Sequence, residues 1–214
     1  MPRTAAVCVT MLLSVASCHR PAETPQGEVP RPLAGFAAQR VAVTPTAHVR
    51  AADSLGWVQQ LSGARSVARQ LDTNIVAVLD ARGLARRWVM PAELAKAYER
   101  NRSYATDPYQ LVVEQLRSPR MKPGERYGEP LSSQLRTMIA LQEDTRFVLL
   151  PVDLRFERAA DAAGQGRAVL RVALLDPRFA EARWIGDVTG NAAATPALAL
   201  SSVAAHLADL FVAP

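Results

Sequence analysis

The chain has 214 residues, of which 49% are hydrophobic and 21% charged, with a formal net charge of +5. That length and balance indicate one globular domain with a single substantial core. They exclude a disulfide scaffold, because both cysteines, Cys8 and Cys18, fall within the first eighteen residues. Alanine and arginine carry a large share of the sequence, as in proteins of GC-rich genomes, so the arginines by themselves do not argue for an acidic partner.

The first seventeen residues carry one positive charge at Arg3, followed by an uncharged apolar run to Val15. A run of that length is too short for a permanent membrane-spanning helix and has the layout of a secretory signal. It ends Val15-Ala16-Ser17-Cys18, which resembles a bacterial lipobox, and the expectation is that Cys18 is acylated and becomes the new amino terminus. An ordinary signal peptide cleaved near Ser17 would share the same apolar run. Removal of 1–17 takes away one Arg and no acid, lowering the net charge from +5 to +4. Such a mildly basic chain would favour an anionic surface, lipid headgroups or cell-wall polymer. With His19 rather than an acid after Cys18, the expected destination is the periplasmic face of the outer membrane.

Residues 18–39 hold Pro21, Pro25, Pro30 and Pro32 without helical or strand period and predict a flexible tether, leaving 40–214 as one α/β domain. Val41 and Val43 share one face of a short strand that Pro45 closes. A loop follows, with a short helical turn near Trp57. Over 62–83 the apolar residues Ala64, Val67, Ala68, Leu71, Ile75, Val78 and Leu79 recur three and four apart, and Gly83 stands where the helix should stop. Arg65, Arg69, Asp72 and Arg82 lie largely off that stripe. A brief strand is expected over 86–90. Pro91 and Glu93 then suit the first turn of a helix, where the missing N–H is harmless and the carboxylate meets the helix dipole. Asp107-Pro108 repeats the cap signal and predicts a helix through Leu116.

Residues 117–129 carry Arg117, Arg120, Lys122 and Arg126 among prolines and glycines, and read as an exposed basic loop. Helical spacing resumes over 131–141 through Leu135, Met138 and Ile139. Three strands should fill 146–188, the first two joined at Gly164-Gln165-Gly166. Thr195-Pro196 opens a final helix striped by Leu200, Val203, Ala204, Leu207, Leu210 and Phe211. The order predicts an α/β (α+β) domain with a mixed sheet of about four to five strands covered by helices.

Several words in this text resemble a group of bacterial envelope lipoproteins that includes CsgG and LpoB, together with the TolB amino-terminal domain. The words are Val41-Ala42-Val43-Thr44-Pro45, Pro91-Ala92-Glu93-Leu94, and Asp176, Glu181 and Trp184 in the register of a turn Asp-x-x-Thr-Gly-Glu-x-x-Trp. Phe179 and Ala180 stand where that turn has Thr and Gly. The resemblance implies an anticodon-binding-like domain over residues 40–212. The ten-residue alternation of membrane strands, found in the channel-forming branch, is absent from the sequence.

No catalytic pattern emerges. His48 lies in a loop and His206 beside an apolar stripe, with Ser201, Ser202 and Asp209 near it in sequence. Glu143-Asp144 are adjacent, whereas a glycosidase needs acids opposed across a cleft. No thiol or His pair is placed for a metal, and no phosphate loop occurs, so neither a metal nor a cofactor is expected. The best candidate contact surface is the run of tyrosines interleaved with basic residues: Tyr98, Arg102, Tyr104, Tyr109, Arg117, Arg120, Lys122, Arg126 and Tyr127. Packing of some of these tyrosines in the core, with solvated arginines, is the other reading of the run. Nucleic acid is not an expected partner for an exported chain. The expectation is a non-enzymatic accessory module for an envelope component of the cell-wall synthesis or secretion machinery. A subunit of an oligomeric export apparatus and an envelope hydrolase are the alternatives.

Overall fold

The computed structural model describes residues 31–160 and 162–213. The expected leader, Cys18 and the tether as far as residue 30 lie outside the described residues. The rest builds one mixed four-stranded sheet in the order β1-β2-β3-β4, from β1 (Val41–Val43), β2 (Phe147–Arg158), β3 (Gly166–Asp176) and β4 (Glu181–Thr189). β1 runs parallel to β2, with Val41 opposite Phe147, while β2, β3 and β4 form an antiparallel meander.

Both faces of the sheet are covered. On one face, α2 (Ala64–Ala81) and α6 (Pro196–Asp209) pack against Val41, Val43, Leu149, Leu154, Leu170, Val172 and Leu174. Val67, Leu71, Ile75 and Leu79 are the residues α2 buries, and they are the inner members of its apolar stripe. Gly83 takes φ 73°, and the N–H of Leu84 reaches the Leu79 carbonyl, which closes the helix at the expected glycine. Thr195 caps α6 through its hydroxyl, which accepts from the Leu198 N–H at 3.4 Å. The other face carries α3 (Pro91–Arg100), α4 (Glu114–Arg117) and α5 (Leu131–Ala140), packed on Ala42, Val148, Leu150, Val152, Ala173, Leu175 and Ile185.

Four sequence expectations change or sharpen. The tether does not extend to residue 39: Leu33 is fully buried and its N–H donates to the Leu210 carbonyl, and Phe36 sets its ring edge-on to Phe147. Apolar residues at 33 and 36 outweigh the prolines around them. The strand expected over 86–90 is a single parallel bridge from Val89 to Ala42, which closes the outer edge of β1. The helix expected from Pro108 does not form. Asp107 accepts from the N–H of Tyr109 at 2.9 Å, so its side chain closes a turn, and α4 starts only at Glu114. The short helix near Trp57 is α1 (Trp57–Gln60), and it is nucleated by Asp53, which accepts from the N–H groups of Leu55, Trp57 and Val58. Burial pushes the Asp53 carboxyl up, but these backbone donors outweigh it and hold it below the usual range.

Candidate functional site

The structure divides the nine residues of the candidate contact surface. Tyr127 is 3% exposed in the core beside α5, so it is no part of a surface, and burial drives its hydroxyl pKa well upward. Arg117 is half-buried against the sheet, and Tyr98 is half-buried on α3. Arg120, Lys122 and Arg126 are exposed, with Arg126 donating from Nε to the Phe179 carbonyl at 3.1 Å. Arg102 is exposed and paired with Glu99 one helical turn away. Tyr104 and Tyr109 stand out at 62% and 60% exposure, with Val112 also exposed nearby in sequence.

These two tyrosines sit on backbone that is held in place. Gln134 of α5 accepts from the Val112 N–H at 3.0 Å and donates to the Gln110 carbonyl at 3.3 Å, and Thr106 meets Thr137 at 3.0 Å. Further along, the half-buried Arg171 of β3 fans its guanidinium over the chain. Its Nε donates to the Leu116 carbonyl at 2.6 Å, one terminal nitrogen to the Ser118 carbonyl at 2.7 Å, and the other faces Asp187 at 3.2 Å. One arginine thereby satisfies carbonyls at the end of α4 and ties the loop to the sheet.

Tyr109 also overhangs a groove along α2. Two adjoining cavities, of about 630 Å³ and 580 Å³, share Arg69, Asp72 and Tyr109. The first is lined further by Thr46, His48 and Arg65, and the second by Thr73, Asp80 and Pro91. Asp72 is engaged by the Thr46 N–H at 2.8 Å and the Thr46 hydroxyl at 2.6 Å. Burial raises the Asp72 carboxyl pKa, and those two bonds oppose the shift without cancelling it. The helical period places Arg65, Arg69 and Asp72 off the core stripe, but no local pattern reveals the wall that faces them.

Behind His48 lies a feature that no motif in the sequence marks. A bulge in β2 between Pro151 and Asp153 breaks the inward-outward alternation, so Val152 joins one core and Leu154 the other. Asp153 between them is 0% exposed. Arg50 donates to its Oδ2 from Nε at 2.7 Å, while Arg117 Nε and His48 Nε2 stand 3.7 Å and 3.8 Å from Oδ1. Burial, with Arg117 next in importance, lowers the His48 pKa, and Asp153 pulls the other way. The only sequence signal was an acid directly following the apolar run 147–152 of β2.

The other residues weighed for catalysis are separately occupied. His206 Nδ1 lies 2.7 Å from the Thr189 carbonyl, Asp209 is bound by Arg82 at 2.7 Å, and the Ser202 hydroxyl accepts from the Asn191 N–H at 2.8 Å. Glu143 and Asp144 are both exposed. Among the described residues, no group of three or more His, Cys, Asp or Glu side chains could hold a metal ion.

No protein-family model matches the sequence, and no curated protein matches it. Comparison with solved structures returns a dodecamer of a PelC point variant from Paraburkholderia phytofirmans, at a TM-score of 0.36 and 16% sequence identity, covering 81% of this chain and 88% of that one. A likeness this loose carries no argument about what this chain does. No helix among the described residues is long and apolar enough to cross a membrane.

Proposed function

We propose that this chain is an envelope lipoprotein, anchored through Cys18 on the periplasmic face of the outer membrane, whose α/β domain is a non-catalytic binding module for another envelope component. The machinery it serves is that of cell-wall synthesis or secretion, and kinship with the CsgG, LpoB and TolB amino-terminal-domain group is part of the same proposal. The observation that carries it is the exposed pair Tyr104 and Tyr109 on backbone pinned by Gln134 and Thr137. Large aromatic rings held out by a fixed scaffold bind with little further ordering, which is how a recognition surface differs from a solvated loop.

A photo-crosslinking residue in place of Tyr104 or Tyr109 should give a discrete adduct in cells. A probe at Glu143, exposed beyond the end of α5, supplies the background. Adducts no stronger than that background would remove the binding-surface claim. For the anchor, Cys18→Ala should move the protein from the membrane to the soluble fraction, and its retention in the membrane would sink that part.

One observation favours the reading as a subunit of an oligomer. β4 is the last strand of the sheet; segment 124–127 meets the start of its outer edge, through Glu181 and Arg126, His206 takes the Thr189 carbonyl at its end, and among the described residues no other segment pairs with the stretch between them. Pairing of that edge with another copy would satisfy its free backbone groups. A monomer by light scattering, at concentrations well above those in the cell, rules that reading out.

A further inference from the structure

We propose that the groove along α2 is a binding site for an anionic polysaccharide, a glycan strand carrying carboxylates, which enters at the end lined by His48, Arg65 and Arg69. This rests on reading the chain as a binding module and names the class of ligand for one part of its surface.

The dimensions favour a polymer. The groove follows α2 from Ala64 to Asp80, which at 1.5 Å per residue is about 24 Å. It is continuous, because its two cavities share Arg69, Asp72 and Tyr109. A trough of that length, open along one side, suits a strand that enters and leaves better than a compact cofactor, which a closed pocket would surround.

The charge favours an anion. Several arginines elsewhere in the domain are matched: Arg82 with Asp209, Arg136 with Glu129, Arg146 with Asp176, Arg155 and Arg171 with Asp187. Among the described residues neither Arg65 nor Arg69 makes an ion pair or side-chain hydrogen bond, and both line the groove. The acid beside them, Asp72, is turned to Thr46, accepting from its N–H at 2.8 Å and its hydroxyl at 2.6 Å, and among the described residues it forms no ion pair with either arginine. The first turn of α2 has no acidic residue, and its cap, Gly63, offers no side chain, so the helix start adds to the positive potential around Arg65.

The remaining walls fit sugar rather than peptide, lipid or duplex nucleic acid. Tyr109 offers an exposed aromatic surface on which a sugar ring can lie. Beyond Arg69 the lining turns to Thr73 and the acid Asp80, which can take up hydroxyl groups and confine the carboxylates of the strand to the end lined by Arg65 and Arg69. A peptide adding to the sheet beside the groove would need the outer edge of β1, and Val89 has closed it: Val43 donates to the Val89 carbonyl at 2.9 Å and the Val89 N–H donates to the Val41 carbonyl at 2.9 Å. A lipid surface is too broad to enter a concave trough, and a nucleic-acid duplex is wider still.

The test uses the whole processed protein in detergent, titrated against immobilised alginate, with neutral dextran, vesicles containing phosphatidylglycerol and double-stranded DNA as comparison probes. Alginate should bind, and binding should weaken as salt is raised. Arg65→Gln with Arg69→Gln should lower its affinity roughly tenfold or more, at unchanged thermal stability because neither residue supports the core. Tyr109→Ala should weaken it several-fold without altering the salt dependence. Failure of alginate to bind, equal binding of dextran or DNA, preference for the vesicles, or full affinity in the double arginine variant would each overturn the proposal. The outcome is separable from that for the protein partner. Crosslinks at Tyr104 without alginate binding would defeat the glycan site alone, and alginate binding without crosslinks would leave the glycan site standing.

Discussion

The two faces of the sheet are built on different principles. The face under α2 and α6 is an apolar sandwich in which long helices lay regular stripes across alternating strand residues, and Leu71, Leu149, Leu170, Leu174, Leu200 and Leu207 are all fully buried there. The opposite face has an apolar centre under α5, but its rim is assembled from short pieces. These pieces are tied down by polar side chains: Arg171 on the end of α4, Gln134 on the 110–112 backbone, and Gln115, which accepts from the Gly128 N–H at 2.7 Å. The contrast teaches where function can be carried. Hydrophobic burial is non-directional and makes the rigid half of the domain, whereas directional ties hold irregular backbone and leave its aromatic side chains free to face outward.

The contrast is broken most visibly in the apolar half. Leu71→Ala removes a fully buried side chain that cannot be replaced by movement of a loop, and should cost about 3 to 5 kcal/mol. Urea denaturation should show a lower midpoint at an unchanged slope. Arg171→Leu on the other face should cost about 3 kcal/mol, because carbonyls at 116 and 118 lose a buried donor and Asp187 loses one of its arginines. Its signature should be local: amide exchange should accelerate over 116–121 while α2 stays protected. Equal loosening of α2 would mean that the two halves are not separately held.

A smaller effect lies at the β3–β4 turn. Ala180 adopts φ 50°, the left-handed region that glycine enters freely, at the very position where the resembled turn has glycine. Ala180→Gly should therefore stabilise by about 0.5 to 1 kcal/mol, the relief of side-chain strain exceeding the added freedom of the unfolded chain. A lower melting temperature would show that the alanine side chain contributes packing instead. The least effect concerns His48. Its folded pKa lies below the ordinary 6.5 because of burial and then Arg117, so between the two values the unfolded chain binds the proton better. Stability from this group is present above 6.5 and falls as the pH drops through that window. An NMR titration of the ring should give a midpoint below 6.5, and a higher one would mean that Asp153 outweighs the arginines.

Legibility followed the same division. The stripes of α2, α5 and α6, the caps at Pro91 and Thr195, and the three-strand run could all be read, because period and cap chemistry are local properties of the chain. The helix expected from Pro108 could not be distinguished from the turn that formed. An aspartate before a proline serves either as cap or as turn former, and the choice went to the side chain's bond to Tyr109 together with the anchoring by Gln134. The strand over 86–90 failed for a related reason, since only Val89 lies within reach of β1. Within the candidate surface, the sequence placed Tyr104, Tyr109 and Tyr127 together and could not tell that the first two are exposed and the third is buried, because three tyrosines in polar surroundings look alike until the core claims one. Asp153 and the groove over α2 were out of reach, as each depends on residues distant along the chain.

By itself the sequence determined where the long helices and the three-strand run fall, that helices must cover a mixed sheet, and the expectation of a lipid anchor at Cys18. These rest on periodicity, cap residues and the leader-like pattern of residues 1–18, each decided within a few residues of chain. Only the tertiary structure decided which tyrosines stay outside, that Asp153 is buried between Arg50 and Arg117, and that Arg65 and Arg69 stand along a groove beneath Tyr109 without an ion pair among the described residues. The physical reason is that burial and ion pairing are set by partners far away in sequence, Arg50 lying 103 residues from Asp153, and no local pattern records who those partners are.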